Sequence, residues 1–122
     1  MTNTSTVVEL FFMTSTELTS DQTTELAETF GLLADPTRLS IVVQCMGQER
    51  SAGEIAEAVG TSPSLTSHHL RLLRSARMLK SERRGKQVFY TMADKCVHSV
   101  LNIMIEHIFT HHHETHNPDD EE

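Results

Sequence analysis

Two short apolar-periodic segments meet at Gly60-Thr61, and this junction constrains the fold more than any other feature of the chain. Before it, Ser51-Ala-Gly-Glu54 has the spacing of a capping box, in which the Ser and Glu side chains each satisfy the other residue's backbone N–H. Ile55, Ala56 and Val59 then supply the buried face of a short helix. After the junction, Ser62-Pro63 reads as a cap followed by proline, whose missing N–H costs nothing at the first helical position. This second helix is predicted to run to about Ala76, with Leu65, Leu70, Leu72, Leu73 and Ala76 packing inward. Two short helices joined by a tight glycine turn form a helix-turn-helix. Further on, Met78 to Arg83 and Lys86 to Met92 flank Arg84-Gly85, and Val88, Tyr90 and Met92 alternate with Gln87, Phe89 and Thr91. That alternation predicts a hairpin turning at Arg84-Gly85. Following the second helix directly, it is a wing. The fold class is therefore mainly α (α+β), a winged helix-turn-helix with a two-stranded β wing.

Charge says what such a fold meets. The chain of 122 residues has a net charge of −7, which by itself opposes nucleic-acid binding. Yet eight of its ten Lys and Arg lie between Arg71 and Lys95, against only Glu82 and Asp94 there, so this segment carries +6 and the remainder −13. One basic surface on an acidic protein fits a polyanionic partner. On the second helix, Ser64, Ser67, His68 and Arg71 stand at i, i+3, i+4 and i+7. A solvated helix face has the same pattern, and His68-His69 alone does not exceed it; the adjoining basic hairpin favours DNA. The candidate contacts are Ser62, Ser64, Ser67, His68, His69, Arg71 and Arg74, with Arg84 and Lys86 on the wing. Short polar side chains suit base edges in the major groove, and the cations suit phosphates.

The length suits one domain with one modest core. Three regions are expected: an N-terminal arm over 1–20, the DNA-binding and dimerisation domain over 21–110, and a His-rich, then acidic tail over 111–122. Within the arm, the apolar cluster Val7 to Met13 is expected to form a short helix that docks on a dimer partner; it is too short to span a bilayer. Leu26, Phe30 and Leu33 mark an amphipathic helix from Asp21. Asp35-Pro36 opens the next, which is expected to bury Leu39, Val42, Val43 and Met46 and to close at Gly47, with Cys45 half-buried beside the stripe. Two distant cysteines make no disulfide framework, so a reducing cytoplasm is the expected location.

From Ala93 to Glu114 a longer helix is predicted, N-capped by Asp94, with Val97, Val100, Leu101, Met104, Ile105 and Ile108 forming a wide apolar stripe. Beside the stripe, Cys96 and His107 point in nearly the same direction, but eleven residues separate them by ~16 Å along the axis. Ligands of one zinc-like ion sit about 2.0–2.3 Å from it, so these two cannot share a metal within one helix. They can share one across a two-fold axis near residues 101 and 102, with two antiparallel copies of the helix.

With these pieces assembled, the chain resembles the ArsR/SmtB family of bacterial metal-sensing winged-helix repressors over roughly Leu26 to His111. The resemblance rests on Leu33-Ala-Asp-Pro-Thr-Arg-Leu39, on Ser62-Pro-Ser-Leu-Thr-Ser-His-His-Leu-Arg-Leu-Leu73 and on Arg83-Arg-Gly-Lys-Gln-Val-Phe-Tyr90. It implies a homodimer, paired through terminal helices, that binds operator DNA and releases it when an inducer binds. It also implies a metal site across the dimer, with Asp94 and Cys96 in the place of Asp-x-His, and His107 near the helix end. The fourth position falls on Thr110, a poor ligand, which leaves His111, a tail histidine or water. The family's Cys-Val-Cys site has no counterpart between Ser51 and Ala56. A carboxylate, a thiolate and one or two imidazoles (Asp94, Cys96, His107, His111) suit Zn²⁺ first, with Cd²⁺, Co²⁺ or Ni²⁺ as alternatives.

Two rival readings keep different chemistry. A thiol-responsive repressor of the same fold would use Cys45 and Cys96, and a metal-buffering protein would use the C-terminal histidines. Among the latter, His-Glu-Thr-His falls one residue short of a zinc-hydrolase signature, and no nucleophile–base arrangement is found, so an enzyme is not expected.

Overall fold

The structure, a computed structural model, describes residues 17–115, with side chains described as far as His111. Its elements are α1 (Ser20–Leu33), α2 (Pro36–Gln44), β1 (Arg50–Ser51), α3 (Ala52–Val59), α4 (Pro63–Ser75), β2 (Leu79–Arg84), β3 (Gln87–Met92) and α5 (Lys95–Thr115). The expected arm helix near residues 7–13 and the tail from His116 on lie outside the described residues. The chain divides into two compact units, the first ending at Asp35 and the second beginning at Pro36.

In the first unit, α1 starts one residue before the sequence expectation. Thr19 and Gln22 close a capping box: the Gln22 N–H donates to Thr19 Oγ1 at 3.1 Å, and the Thr19 N–H to Gln22 Oε1 at 2.9 Å. No residue of α1 is buried, and Leu26 and Phe30 are about half exposed.

In the second unit, Pro36 opens α2, and Ile41, Val42 and Cys45 face the core. Leu39 and Met46 are only half-buried and Val43 is exposed, so the expected stripe is rotated toward Ile41 and Cys45. The capping box of α3 forms as predicted, with the Ser51 N–H donating to Glu54 Oε1 (2.9 Å) and the Glu54 N–H to Ser51 Oγ (3.1 Å). These bonds hold the Glu54 carboxyl below the usual carboxylate range, the Ser51 backbone donor contributing most. Gly60 ends α3 with φ 74°, and its N–H reaches the Ala56 carbonyl at 2.9 Å. Glycine adopts that left-handed backbone without a Cβ penalty. Ser62 caps α4 ahead of Pro63, accepting the Leu65 N–H at 3.1 Å.

The hairpin is present, but its register differs from the expectation by one residue. Arg84 pairs with Gln87, so the loop is Gly85-Lys86, with Gly85 at φ 62°. A two-residue β1 adds a third strand, giving the antiparallel order β1-β3-β2 through Arg50↔Tyr90 and Ser51↔Phe89. Between α4 and β2, Arg77 takes φ 61°, while the Met78 N–H bonds the Leu73 carbonyl at 3.0 Å. This is a helix stop of the kind usually built on glycine. It delivers Met78 and Leu79 into a core completed by Ile55, Ala56, Leu70, Leu73 and Leu101. Among the described residues no helix is long and apolar enough to cross a membrane.

Candidate nucleic-acid interface and metal ligands

α4 separates its faces sharply. Thr66, His69, Leu70 and Leu73 are buried, and Ser62, Ser64, Ser67, His68, Arg71 and Arg74 are exposed. The sequence assigned the packing side partly wrongly: Leu65 (47% exposed), Leu72 and Ala76 lie at the surface. His69, expected among the DNA contacts, is only 7% exposed and turned into the protein. Its ring lies 5.8 Å from that of exposed His68. Neither His69 Nδ1 nor the Thr66 hydroxyl has a hydrogen-bond partner among the described residues. A line of Ser64, His68 and Arg71, flanked by Ser67 and Arg74, therefore remains as the outward polar face.

The wing stands on the Ser67–Arg74 side of that face. Arg74 Nη1 donates to Ser81 Oγ on β2 at 3.3 Å, tying helix to sheet. A cleft of about 390 Å³ lies between them, lined by Gly53, Ser67, Lys86, Gln87 and Tyr90 among others. Lys86 is exposed at its rim. Arg84 is engaged differently from the expectation. It forks both oxygens of Glu49, with Nη2–Oε2 at 2.7 Å, and Nη2 also meets Glu82 Oε2 at 2.8 Å. Its guanidinium carbon lies 4.9 Å from the centroid of the Phe89 ring, a cation–π arrangement. The hydrogen bonds to Glu49 and then Glu82 push the Arg84 pKa up, and the bond from Arg84 holds Glu82 below the usual carboxylate range. Sequence reasoning missed Glu49, which lies thirty-five residues from Arg84; no local pattern connects the two.

The proposed metal ligands are spread along α5. Asp94 caps the helix, its Oδ1 accepting the N–H groups of Cys96 (3.0 Å) and Val97 (3.1 Å); Oδ2 takes no part in the cap. Cys96 is exposed, and so are His107 and His111, whose rings stack with centroids 5.8 Å apart and 14° between planes. α5 remains helical through His111 to Thr115, one residue past the expected end at Glu114. Val97, Leu101 and Ile105 are the covered side of α5. Cys96 and His107 lie roughly 120–140° around the helix from that side, at 3.6 residues per turn. The structure thus brings His107 and His111 together and leaves Asp94 and Cys96 at the other end. Among the described residues no group of three possible ligands converges within the chain.

Cys45 and Cys96, the pair of the thiol reading, are both free. Cys45 is 1% exposed, and burial pushes its thiol up to about 12, only partly opposed by Arg50. Thiolate is the reactive form, so burial, which raises the pKa and blocks access, disfavours thiol chemistry at Cys45.

Comparison with known proteins supplies a relationship for this geometry. The family model described as "Bacterial regulatory protein, arsR family" matches residues 35–81. A transcriptional repressor SmtB homolog from Synechocystis sp. is 39% identical over 88 residues, covering 72% of this chain and 67% of that protein. The cadmium resistance transcriptional regulatory protein CadC homolog of Staphylococcus aureus is 30% identical, covering 80% and 78%. Among solved structures, the AntR antimony-specific transcriptional repressor matches with TM-score 0.71 and 28% identity, over 78% of this chain and 86% of that one. A homodimeric winged helix-turn-helix DNA-binding domain from Mycobacterium bovis matches with TM-score 0.65 and 24% identity, over 84% and 96%, and shares the fold.

Proposed function

Because the chain belongs to the arsR family of bacterial regulatory proteins, we propose that it is a metal-responsive repressor, a homodimer that binds operator DNA and releases it when a transition metal binds between its terminal helices. The observation that carries this reading is the outward placement of Cys96 and His107 on α5, away from the covered Val97–Leu101–Ile105 side. Donors presented in that way are completed by another chain. Exposed Val100, Met104 and Ile108 on the same helix favour one, since a contiguous apolar surface usually marks an interface.

Asp94 through Oδ2, Cys96 of the same chain, and His107 of the other would hold the ion, with His111 as the fourth ligand. That hard–soft mixture fits Zn²⁺ best and accepts Cd²⁺, Co²⁺ or Ni²⁺. Two similar proteins, a cadmium resistance regulator homolog and an antimony-specific repressor, support metal or metalloid sensing as the class of signal. Metal binding requires the Cys96 thiolate, which suits a reducing cytoplasm. On the DNA side, Ser64, Ser67 and His68 meet base edges, and Arg71, Arg74 and Lys86 meet phosphates, with Ser62 at the helix tip. His69, buried, is left out of this set.

Metal can act only by binding the DNA-incompetent conformation better than the competent one. The test is reciprocity. Metal isotherms for Zn²⁺, Cd²⁺, Co²⁺ and Ni²⁺, taken with and without saturating operator, should show operator weakening at least one metal by the same factor that the metal weakens DNA, in the range of about 5- to 150-fold. Unchanged affinity for every metal overturns allosteric metal sensing.

A further inference from the structure

We propose that Leu65 is a sequence-reading residue, making apolar contact with the C5-methyl group of a thymine in the major groove of the operator. The inference rests on the DNA-binding reading above. Its starting point is the leucine's place: periodicity put Leu65 in the core, and the structure leaves it 47% exposed in the first turn of α4. The Ser62 hydroxyl accepts the Leu65 N–H at 3.1 Å, so the backbone presenting this side chain is fixed by the cap. Ser64 and His68 are exposed beside it, while Thr66, His69, Leu70 and Leu73 form the adjoining buried face, so Leu65 stands at the border between the two faces.

Single exposed apolar residues are ordinary on a protein surface. Leu72 is one such residue, 38% exposed. It stands seven residues, ~10 Å, further along the same helix. Leu65 differs in standing among the residues nearest the groove, because a recognition helix contacts base edges with its N-terminal residues. Arg71 and Arg74, further along the same helix, supply the positive charge that draws the duplex to it. The major-groove edges carry donors and acceptors at every base pair and a single kind of apolar group, the thymine methyl. An exposed leucine next to two hydrogen-bonding side chains has that group as its complement.

The experiment begins with the full chain selecting duplexes from a random pool. In the best duplex each dT is replaced singly by dU, which deletes only the methyl group. At one dT in each half-site the unaltered protein should lose about fourfold in affinity, the worth of one buried carbon. Leu65→Ala should bind the dT and dU duplexes equally there, and Leu72→Ala should discriminate as the unaltered protein does. Equal discrimination by Leu65→Ala overturns the proposal and places the leucine against the sugar–phosphate backbone. A change in association state on Leu65→Ala, without loss of methyl discrimination, overturns it in favour of a protein-covered leucine. Failure to select any duplex overturns the DNA-binding reading itself, and the methyl contact with it.

Discussion

Arg84 shares its charge between Glu49 and Glu82, and all three side chains are partly exposed, so water screens the cluster and its worth to stability is small. Its consequence for DNA is larger. Each phosphate neutralised steepens the log–log salt dependence by about 0.9. With Arg84 held by carboxylates, the proposed contacts Arg71, Arg74 and Lys86 of two protomers would neutralise up to ~6 phosphates, for an expected slope of roughly −5. Counting Arg84 as free would give roughly −7. Replacing Glu49 and Glu82 together by Ala should release Arg84 to the duplex. The slope should then steepen by ~2, with base preference unchanged. Binding measured across a salt series checks this, and an unaltered slope would show that Arg84 exchanges its partners for phosphate already in the native protein. The Arg84→Ala variant separates the cases: it leaves the slope alone if the carboxylates hold the side chain and flattens it if they do not.

At the scale of the element, the caps bear the strongest sequence signals. Ser62→Ala removes the acceptor of the Leu65 N–H and should cost about 1 kcal/mol of stability in urea unfolding. Ser62→Asp, which keeps an acceptor, should restore most of it, whereas equal loss in both would show that the cap is not what holds the turn. Caps were legible because their chemistry is local: Ser51, Glu54, Gly60, Ser62 and Pro63 each act within four residues. The helix faces were less so. On α4 the buried side includes Thr66 and His69, which an apolar count reads as surface, so that count places Leu65, Leu72 and Ala76 inward in their stead. On α2 the same counting favours Val43, which is exposed, over Cys45, which is buried. The one-residue shift of the hairpin loop follows from pairing with Gln87, and β1 is too short at two residues to carry an alternation of its own. Glu49 became visible as the partner of Arg84 only once the fold brought them together.

For the whole molecule, the proposed metal ligands set the problem. Asp94, Cys96 and His107 were legible as spacing along a helix, and the axial separation that forbids one chain from closing the site was legible with them; the partner was not. The covered side of α5 points away from Cys96 and His107, and its exposed apolar residues leave room for a second copy. If each site takes Asp94 and Cys96 from one protomer and His107 from the other, Cys96→Ala and His107→Ala homodimers each lack two proper sites. In a heterodimer of the two variants, one site lacks both residues and the other has both. The decisive measurement is a Co²⁺ titration of verified heterodimers, read by the sulfur-to-cobalt charge-transfer band. The account predicts that tight binding returns at one metal per heterodimer, with tight binding absent from both parent homodimers. A site confined to one chain, such as His107 with His111, gains nothing from mixing, so heterodimers no better than their parents would contradict the cross-chain site.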